Sequence, residues 1–208
     1  EFEANLGSEL IQLRKELLDG TYRPKPYRKF WINETGKPRL IAAPAFRDVV
    51  VQHALYGLVY PIFDKTFAFD SYGCRKGKGT HRAADRAQQF MRESPDGSVF
   101  LQMDIRKFYY RIDRIRLRSL IEQKIKDRRI INLMMAYADW EEPRGLPIGN
   151  LLSQLLALIY LNPLDQHIKR ELKCDKYVRY VDDFIIFGVG RSEAKVLLRK
   201  IEHWLDVS

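Results

Sequence analysis

Apolar residues recur at three- and four-residue spacing at the start of the chain: Leu6, Leu10, Leu13 and Leu17 predict an amphipathic helix from about Phe2 to Leu18, stopped by Asp19-Gly20. Pro24 and Pro26 then hold the backbone extended. Arg28 to Ile32 and Arg39 to Ala42 flank the turn-forming Asn33-Glu34-Thr35-Gly36, which predicts a β-hairpin with basic residues along it. After Pro44 an apolar face predicts a helix from about Phe46 to Tyr60, ended by Pro61. A Gly-rich loop, Ser71 to Gly79, leads to Thr80, placed to cap a helix running to about Arg92.

The pattern changes after Ser94-Pro95-Asp96-Gly97, a turn. Ser98 to Met103 predicts a buried strand entering Asp104, followed by helices from Arg114 to Lys124 and from Asp127 to Trp140. A Pro/Gly loop, Pro143 to Gly149, precedes a long helix from about Leu151 to Leu172. Lys176 to Val181 and Phe184 to Phe187 are apolar, β-branched or aromatic runs around two aspartates, the pattern of a hairpin. Ser192 is placed to cap a last helix ending near Leu205. Strand, helices, hairpin and helix in this order predict an α+β fold, a half-open sheet layered on helices, with no repeat and no low-complexity segment.

Composition adds a partner class. With 208 residues, 46% of them hydrophobic and 12% aromatic, the chain can bury a core. Its 36 Lys and Arg against 27 acidic residues give a net charge of +9, spread along the chain, which favours a polyanionic partner because each neutralised phosphate releases counterions. Cys74 and Cys174 lie in no CxxC or Cys/His cluster, so neither a disulfide framework nor a zinc site is suggested and a reducing compartment fits. No apolar run approaches bilayer length, and Glu1-Phe2-Glu3 lacks the features of a signal peptide, so a cytoplasmic setting is expected.

The chemistry is concentrated in the carboxylates. Asp182 and Asp183 sit side by side at the tip of an apolar hairpin, where like charges repel and desolvation penalises both; a divalent cation is the natural compensator. Asp104 ends a strand expected to neighbour that hairpin, so three acids can converge at one sheet edge. Such an oxygen-rich site suits Mg²⁺, and a pair of ions there can activate a primer hydroxyl and stabilise a pyrophosphate leaving group. The four histidines, His53, His81, His167 and His203, are dispersed and enter no site.

Five blocks in order resemble the reverse transcriptases of the bacterial group II intron-like lineage. They are Gly36 to Ile41 with Arg47 to Leu55, Ser71 to Gly77, Met103 to Tyr109, Gly145 to Gln154, and Tyr180-Val181-Asp182-Asp183. The resemblance implies the fingers and palm of a right-hand polymerase, the palm an antiparallel sheet of the RRM or ferredoxin-like kind, with fingers at 1–97 and about 114–147 and palm at about 98–113 and 148–208. It implies an RNA-directed DNA polymerase using RNA template, DNA or RNA primer, deoxynucleoside triphosphates and two Mg²⁺ ions, or Mn²⁺ in their place. Asp104 and Asp182 become the main metal ligands, Asp183 an accessory carboxylate, and the Ile105 backbone a further ligand. Tyr109, five residues after Asp104, falls at the steric-gate position that rejects a 2′-hydroxyl, with Phe108 the competitor if the register is one residue off. Lys37, Arg39 and Arg75 fall where finger residues reach the triphosphate; Ile148 and Gly149 border the incoming nucleotide; Tyr180, Ser153 and Gln154 face template or primer.

The fourth block departs from most of the family, which has Gln before this glycine and Pro after the serine, where this chain has Ile148 and Gln154. That variant, with Gln52 to Leu55 and Lys78 to His81, resembles the enzymes of diversity-generating retroelements, which err at template adenines and work with a small basic accessory protein. A group II intron, retron or phage-defence setting and a non-catalytic nucleic-acid-binding scaffold stand as alternatives. Since the sequence stops at Ser208, the family's primer-grip strands and thumb are expected to be absent from it, and the isolated fragment to be weakly active.

Overall fold

Local capping accounts for several element boundaries in the computed structural model, which describes residues 5–34 and 36–207. In chain order the elements are α1 (Leu6–Asp19), β1 (Arg28–Glu34), β2 (Lys37–Ala43), α2 (Phe46–Asp64), α3 (Thr80–Arg92), β3 (Val99–Asp104), α4 (Phe108–Arg111), α5 (Arg114–Glu122), α6 (Arg128–Ala138), α7 (Leu151–Gln166), β4 (Tyr177–Tyr180), β5 (Asp183–Val189) and α8 (Arg191–Val207). A π-helical turn, His167–Glu171, extends α7. The α+β architecture expected from the pattern is the one observed. The predicted helix start at Phe2 and the turn residue Thr35 lie outside the described residues.

Four expectations are corrected. Pro61 does not end α2; a proline in the last turn removes only the bond to the Gly57 carbonyl, and Gly57 is exposed, so water can take its place. Thr80 does not cap α3; Gly79 holds the cap position, and the Thr80 hydroxyl donates instead to the Tyr180 hydroxyl at 3.1 Å. Asp127 stands outside α6 as its cap, its carboxylate accepting from the Arg129 N–H at 2.8 Å, as Asp113 does for α5. At α8 the reciprocal contact comes from Glu193, whose carboxylate accepts the Gly190 N–H at 3.2 Å, and Ser192 lies inside the helix.

The chain forms two compact units, Glu1–Phe63 with Tyr109–Leu156, and Asp64–Phe108 with Ala157–Ser208. In the first, β1 and β2 pair antiparallel from Arg28↔Ala43 to Glu34↔Lys37. Leu13, Val51, Leu55, Leu117, Ile121, Met134 and Leu152 are among its buried apolar residues. A polar network runs through this unit. Buried Asp48 accepts from the Tyr22 hydroxyl and from the Lys25 N–H at 2.9 Å. Tyr22 and Tyr137 share a hydroxyl contact of 2.6 Å, and the Tyr27 hydroxyl donates to the Tyr137 carbonyl at 2.7 Å and accepts from Asn150 at 3.1 Å. Burial, followed by Asp48 for Tyr22 and by Tyr137 and then Asp48 for Tyr27, raises the pKa of both well above the usual phenol value, and burial does the same for Tyr137, so these hydroxyls stay protonated. Asn150 caps α7 by accepting the Ser153 N–H at 2.7 Å.

In the second unit the sheet order is β3-β5-β4, all antiparallel, with β5 central. Tyr72, Ala83, Phe90, Val178 and Phe187 form its packed core, with α3 against β4 and β5 and α8 against β3. The segment Asp70–Tyr72 lies along β4: the Arg179 N–H donates to the Asp70 carbonyl at 2.9 Å and the Tyr72 N–H to the Arg179 carbonyl at 2.8 Å. That pairing lies within the second unit and ties the Asp70–Tyr72 segment to its sheet. Among the described residues no helix is long and apolar enough to cross a membrane.

Candidate active site

Period-two alternation along β3 leaves Phe100, Gln102 and Asp104 exposed, with Val99, Leu101 and Met103 half-buried on the other side. Antiparallel pairing then sets Asp104 opposite Asp183, the first residue of β5. Directly opposed residues have Cβ atoms about 5 Å apart, close enough for two carboxylates to repel. Tyr180↔Asp183 closes the β4–β5 hairpin, so Val181 and Asp182 form a two-residue loop. Asp182 is half-buried, while Asp104 and Asp183 are exposed.

Val181 has φ 56°, with a β-branched side chain in the left-handed region, a conformation that costs on the order of 1–3 kcal/mol and persists only when its surroundings impose it. Two contacts in the same unit do so. Arg179 Nη1 donates to the Val181 carbonyl at 2.8 Å. Gly73, in turn, lies so close that a Cβ built on it would stand 2.6 Å from both the Val181 N and Cγ2. Gly73, in the loop expected to press its backbone on a ligand, presses on the aspartate-bearing turn. Gly73→Ala is therefore expected to cost about 1–3 kcal/mol, because backbone cannot yield as a flexible side chain would; thermal unfolding of the two proteins, which should separate by several degrees, checks it.

Arg179 is the residue that the sequence reading missed. Its side chain and that of Asp165 are both 0% exposed, and they form a two-pronged pair with Nε–Oδ1 and Nη2–Oδ2 each at 2.6 Å. Tyr177 adds a hydroxyl bond to Asp165 Oδ1 at 2.7 Å. Burial would lower the Arg179 pKa, but the adjoining Asp165 carboxylate outweighs it and holds the guanidinium above its usual value. The signal was present: an arginine inside the apolar run of β4 and an aspartate inside the apolar α7, both residue types that are rarely buried unless paired.

The remaining predicted residues fall into two groups. In the first unit, Lys37 and Arg39 are exposed on β2. The fourth block is joined to that strand: the Ala42 N–H donates to the Ile148 carbonyl at 2.7 Å, and Gly149, at φ 114°, would place a Cβ 2.8 Å from Ile41 Cγ2. Tyr109 is half-buried, and its carbonyl accepts the Leu146 N–H at 2.8 Å. Ser153 is buried and Gln154 exposed on the first turn of α7. In the second unit Phe108 is a buried aromatic tilted against Tyr160, with centroids 6.3 Å apart, which suits a core role better than a gate. Arg75, expected at the triphosphate, is bound to the Asp64 carboxylate at 2.8 Å and to the Ala68 and Ser71 carbonyls at 2.7 and 3.0 Å. Tyr180 is half-exposed.

For a divalent cation the donor chemistry fits: every candidate side chain is a carboxylate, the ligand type that Mg²⁺ takes, and two of the three are in register. Among the described residues, however, no three His, Cys, Asp or Glu side chains are already gathered as a cation cage. His167 is taken up by Glu171 at 2.8 Å and by stacking on Trp204. The Cys174 thiol, pushed up to about 11 by burial, and the Cys74 thiol, also raised by burial, stay protonated.

Comparison with known proteins bears on the same region. A family model described as reverse transcriptase (RNA-dependent DNA polymerase) matches residues 24–208. The group II intron-encoded protein LtrA of Lactococcus lactis subsp. cremoris is 31% identical over 180 residues, covering 81% of this chain and 30% of LtrA. Protein YkfC of Escherichia coli strain K12 is 29% identical over 246 positions, covering 95% of this chain and 63% of YkfC. The chain thus spans less than two thirds of the length of these curated relatives. Among solved structures, an apo telomerase of Candida tropicalis truncated from its C-terminal domain superposes with a TM-score of 0.65 at 15% identity, over 86% of this chain and 47% of that one. A partial Cas6-RT-Cas1–Cas2 complex superposes with a TM-score of 0.51 at 21% identity, over 99% and 36%. The last two are likenesses of fold.

Proposed function

Because the chain belongs to the reverse transcriptase (RNA-dependent DNA polymerase) family, we propose that it supplies the polymerising centre of an RNA-directed DNA polymerase, extending a DNA or RNA primer along an RNA template with deoxynucleoside triphosphates. The observation that carries this reading is the pairing of Asp104 with Asp183 beside the turn that bears Asp182. Asp104 and Asp182 would hold Mg²⁺, assisted by Asp183 and the Ile105 backbone; bound there, the ions would supply Lewis-acid activation of the primer hydroxyl and neutralise charge on the departing pyrophosphate. Tyr109 acts as the ring beneath the sugar that excludes a 2′-hydroxyl. Lys37 and Arg39 offer charge-assisted donors to the triphosphate. Arg75 does the same after exchanging its bonds to Asp64, Ala68 and Ser71 for phosphate oxygens. Tyr180, Ser153 and Gln154 border template and primer. Extension of a primer on an RNA template by this chain tests the reading: a chain that binds the duplex yet extends no primer with Mg²⁺ or Mn²⁺ would be a scaffold.

Within the group II intron-like lineage, the Ile148-Gly149 block favours an error-prone enzyme of the diversity-generating kind, working with a small basic accessory protein. An aliphatic side chain replaces the amide that most relatives set beside the incoming pair, and a polar anchor discriminates where an apolar one does not. Ile148→Gln is expected to lower misincorporation at template adenines severalfold. Sequencing products copied from a defined RNA checks this; equal, low error in both proteins would leave a group II intron, retron or defence-type enzyme as the better reading.

A further inference from the structure

We propose that Arg179 and Asp165 are positioning residues for the metal-binding turn, holding the Val181 carbonyl and thereby setting where the Asp182 carboxylate stands. This rests on the assignment of Asp104 and Asp182 as metal ligands. A completely buried ion pair is weak evidence of stabilisation, since well-packed apolar residues of similar volume serve as well or better in many proteins. The pair therefore calls for a role that an apolar pair could not fill.

Its geometry supplies one. Asp165 engages two of the guanidinium nitrogens, Nε and Nη2, and the third, Nη1, reaches two residues ahead to the Val181 carbonyl. The base of the fork is fixed as well, because both backbone groups of Arg179 are bonded to the Asp70–Tyr72 segment. The Val181 carbonyl and the Asp182 N–H belong to one planar peptide unit, so pinning the carbonyl sets the direction in which Asp182 leaves the turn. Val181 would not adopt its left-handed conformation unaided, and Gly73, packed close against its backbone N and Cγ2, restricts the turn further. Mg²⁺ demands near-ideal octahedral geometry, so a ligand on an untethered turn would bind it poorly.

The test separates positioning from stability. In the double variant Asp165→Leu/Arg179→Met both charges leave together, so the chain stays folded with most of its stability while the tether to Val181 is lost. In Arg179→Lys the charge stays, but a single ammonium cannot hold the carboxylate and the carbonyl together. Mn²⁺ alone is titrated into each protein and followed by the electron paramagnetic resonance signal of the free ion, with Mg²⁺ as competitor. Both variants are expected, at temperatures where thermal unfolding shows them folded, to bind Mn²⁺ about 10- to 100-fold more weakly than the native chain. Native affinity in either folded variant would overturn the proposal, leaving the pair as packing alone; should the double variant not fold, Arg179→Lys decides by the same criterion. Asp182→Asn is the control: if it leaves Mn²⁺ binding unchanged, the metal-site assignment itself fails, and the positioning role with it.

Discussion

Asp182→Asn is expected to lower primer extension on an RNA template by on the order of a thousandfold, equivalent to about 4 kcal/mol of transition-state stabilisation. Asparagine matches aspartate in shape, so the two-residue loop can keep its form. It lacks the negative charge that a divalent cation requires, and its amide presents one good oxygen donor where the carboxylate presents two. Folding should be spared. Asp182 lies next to Asp183, which in turn is paired with Asp104, so removal of one charge from this group relieves repulsion as well as abolishing ligation. Single-nucleotide incorporation, run beside thermal unfolding, separates the two effects. Loss of extension with unfolding changed by no more than about 1 kcal/mol is the expected pair of results; native extension by the variant would remove the tetrad from the chemistry.

Asp165→Ala should produce the largest loss of stability, roughly 3–5 kcal/mol, and a fall in unfolding temperature of about 10 °C. The size follows from what remains. Arg179 is fully buried, and without Asp165 its Nε and Nη2 would lose their carboxylate partner and its charge would be left uncompensated. The Tyr177 hydroxyl loses its bond to the same carboxylate. Leaving one buried charge uncompensated costs far more than removing both, so the double replacement by apolar residues should recover most of the loss. Chemical denaturation of the single and double variants measures this difference; equal destabilisation in the two would show that the charges do not act as a pair.

How far these results could be foreseen differs by element. The amphipathic stripe of α1 and the extents of β3 and α3 were legible within a residue or two at most ends, because each expresses local periodicity. Helix ends near prolines were not. Pro61 and Pro163 both lie inside helices, since a proline's effect depends on whether the freed carbonyl can find another partner. The long helix expected to reach Leu172 changes at His167 into a π turn, where the Leu172 N–H reaches back five residues to the His167 carbonyl at 3.0 Å.

The candidate site divides along the same line. Asp104 and the Tyr180 to Asp183 tetrad are visible in the chain because carboxylates set among apolar strand residues stand out against their surroundings. Family membership likewise follows from residue order, as five blocks in register need no coordinates to be read. The support beneath them is a matter of long-range pairing. Asp165 and Arg179 are 14 residues apart, and Gly73 and Val181 more than a hundred. No local pattern reports that one glycine must lack a side chain so that a distant valine can turn the wrong way, or that a buried guanidinium holds that valine's carbonyl. Local preference chooses the strands and the acids; close packing and the need to partner every buried charge determine the turn on which one of those acids is presented.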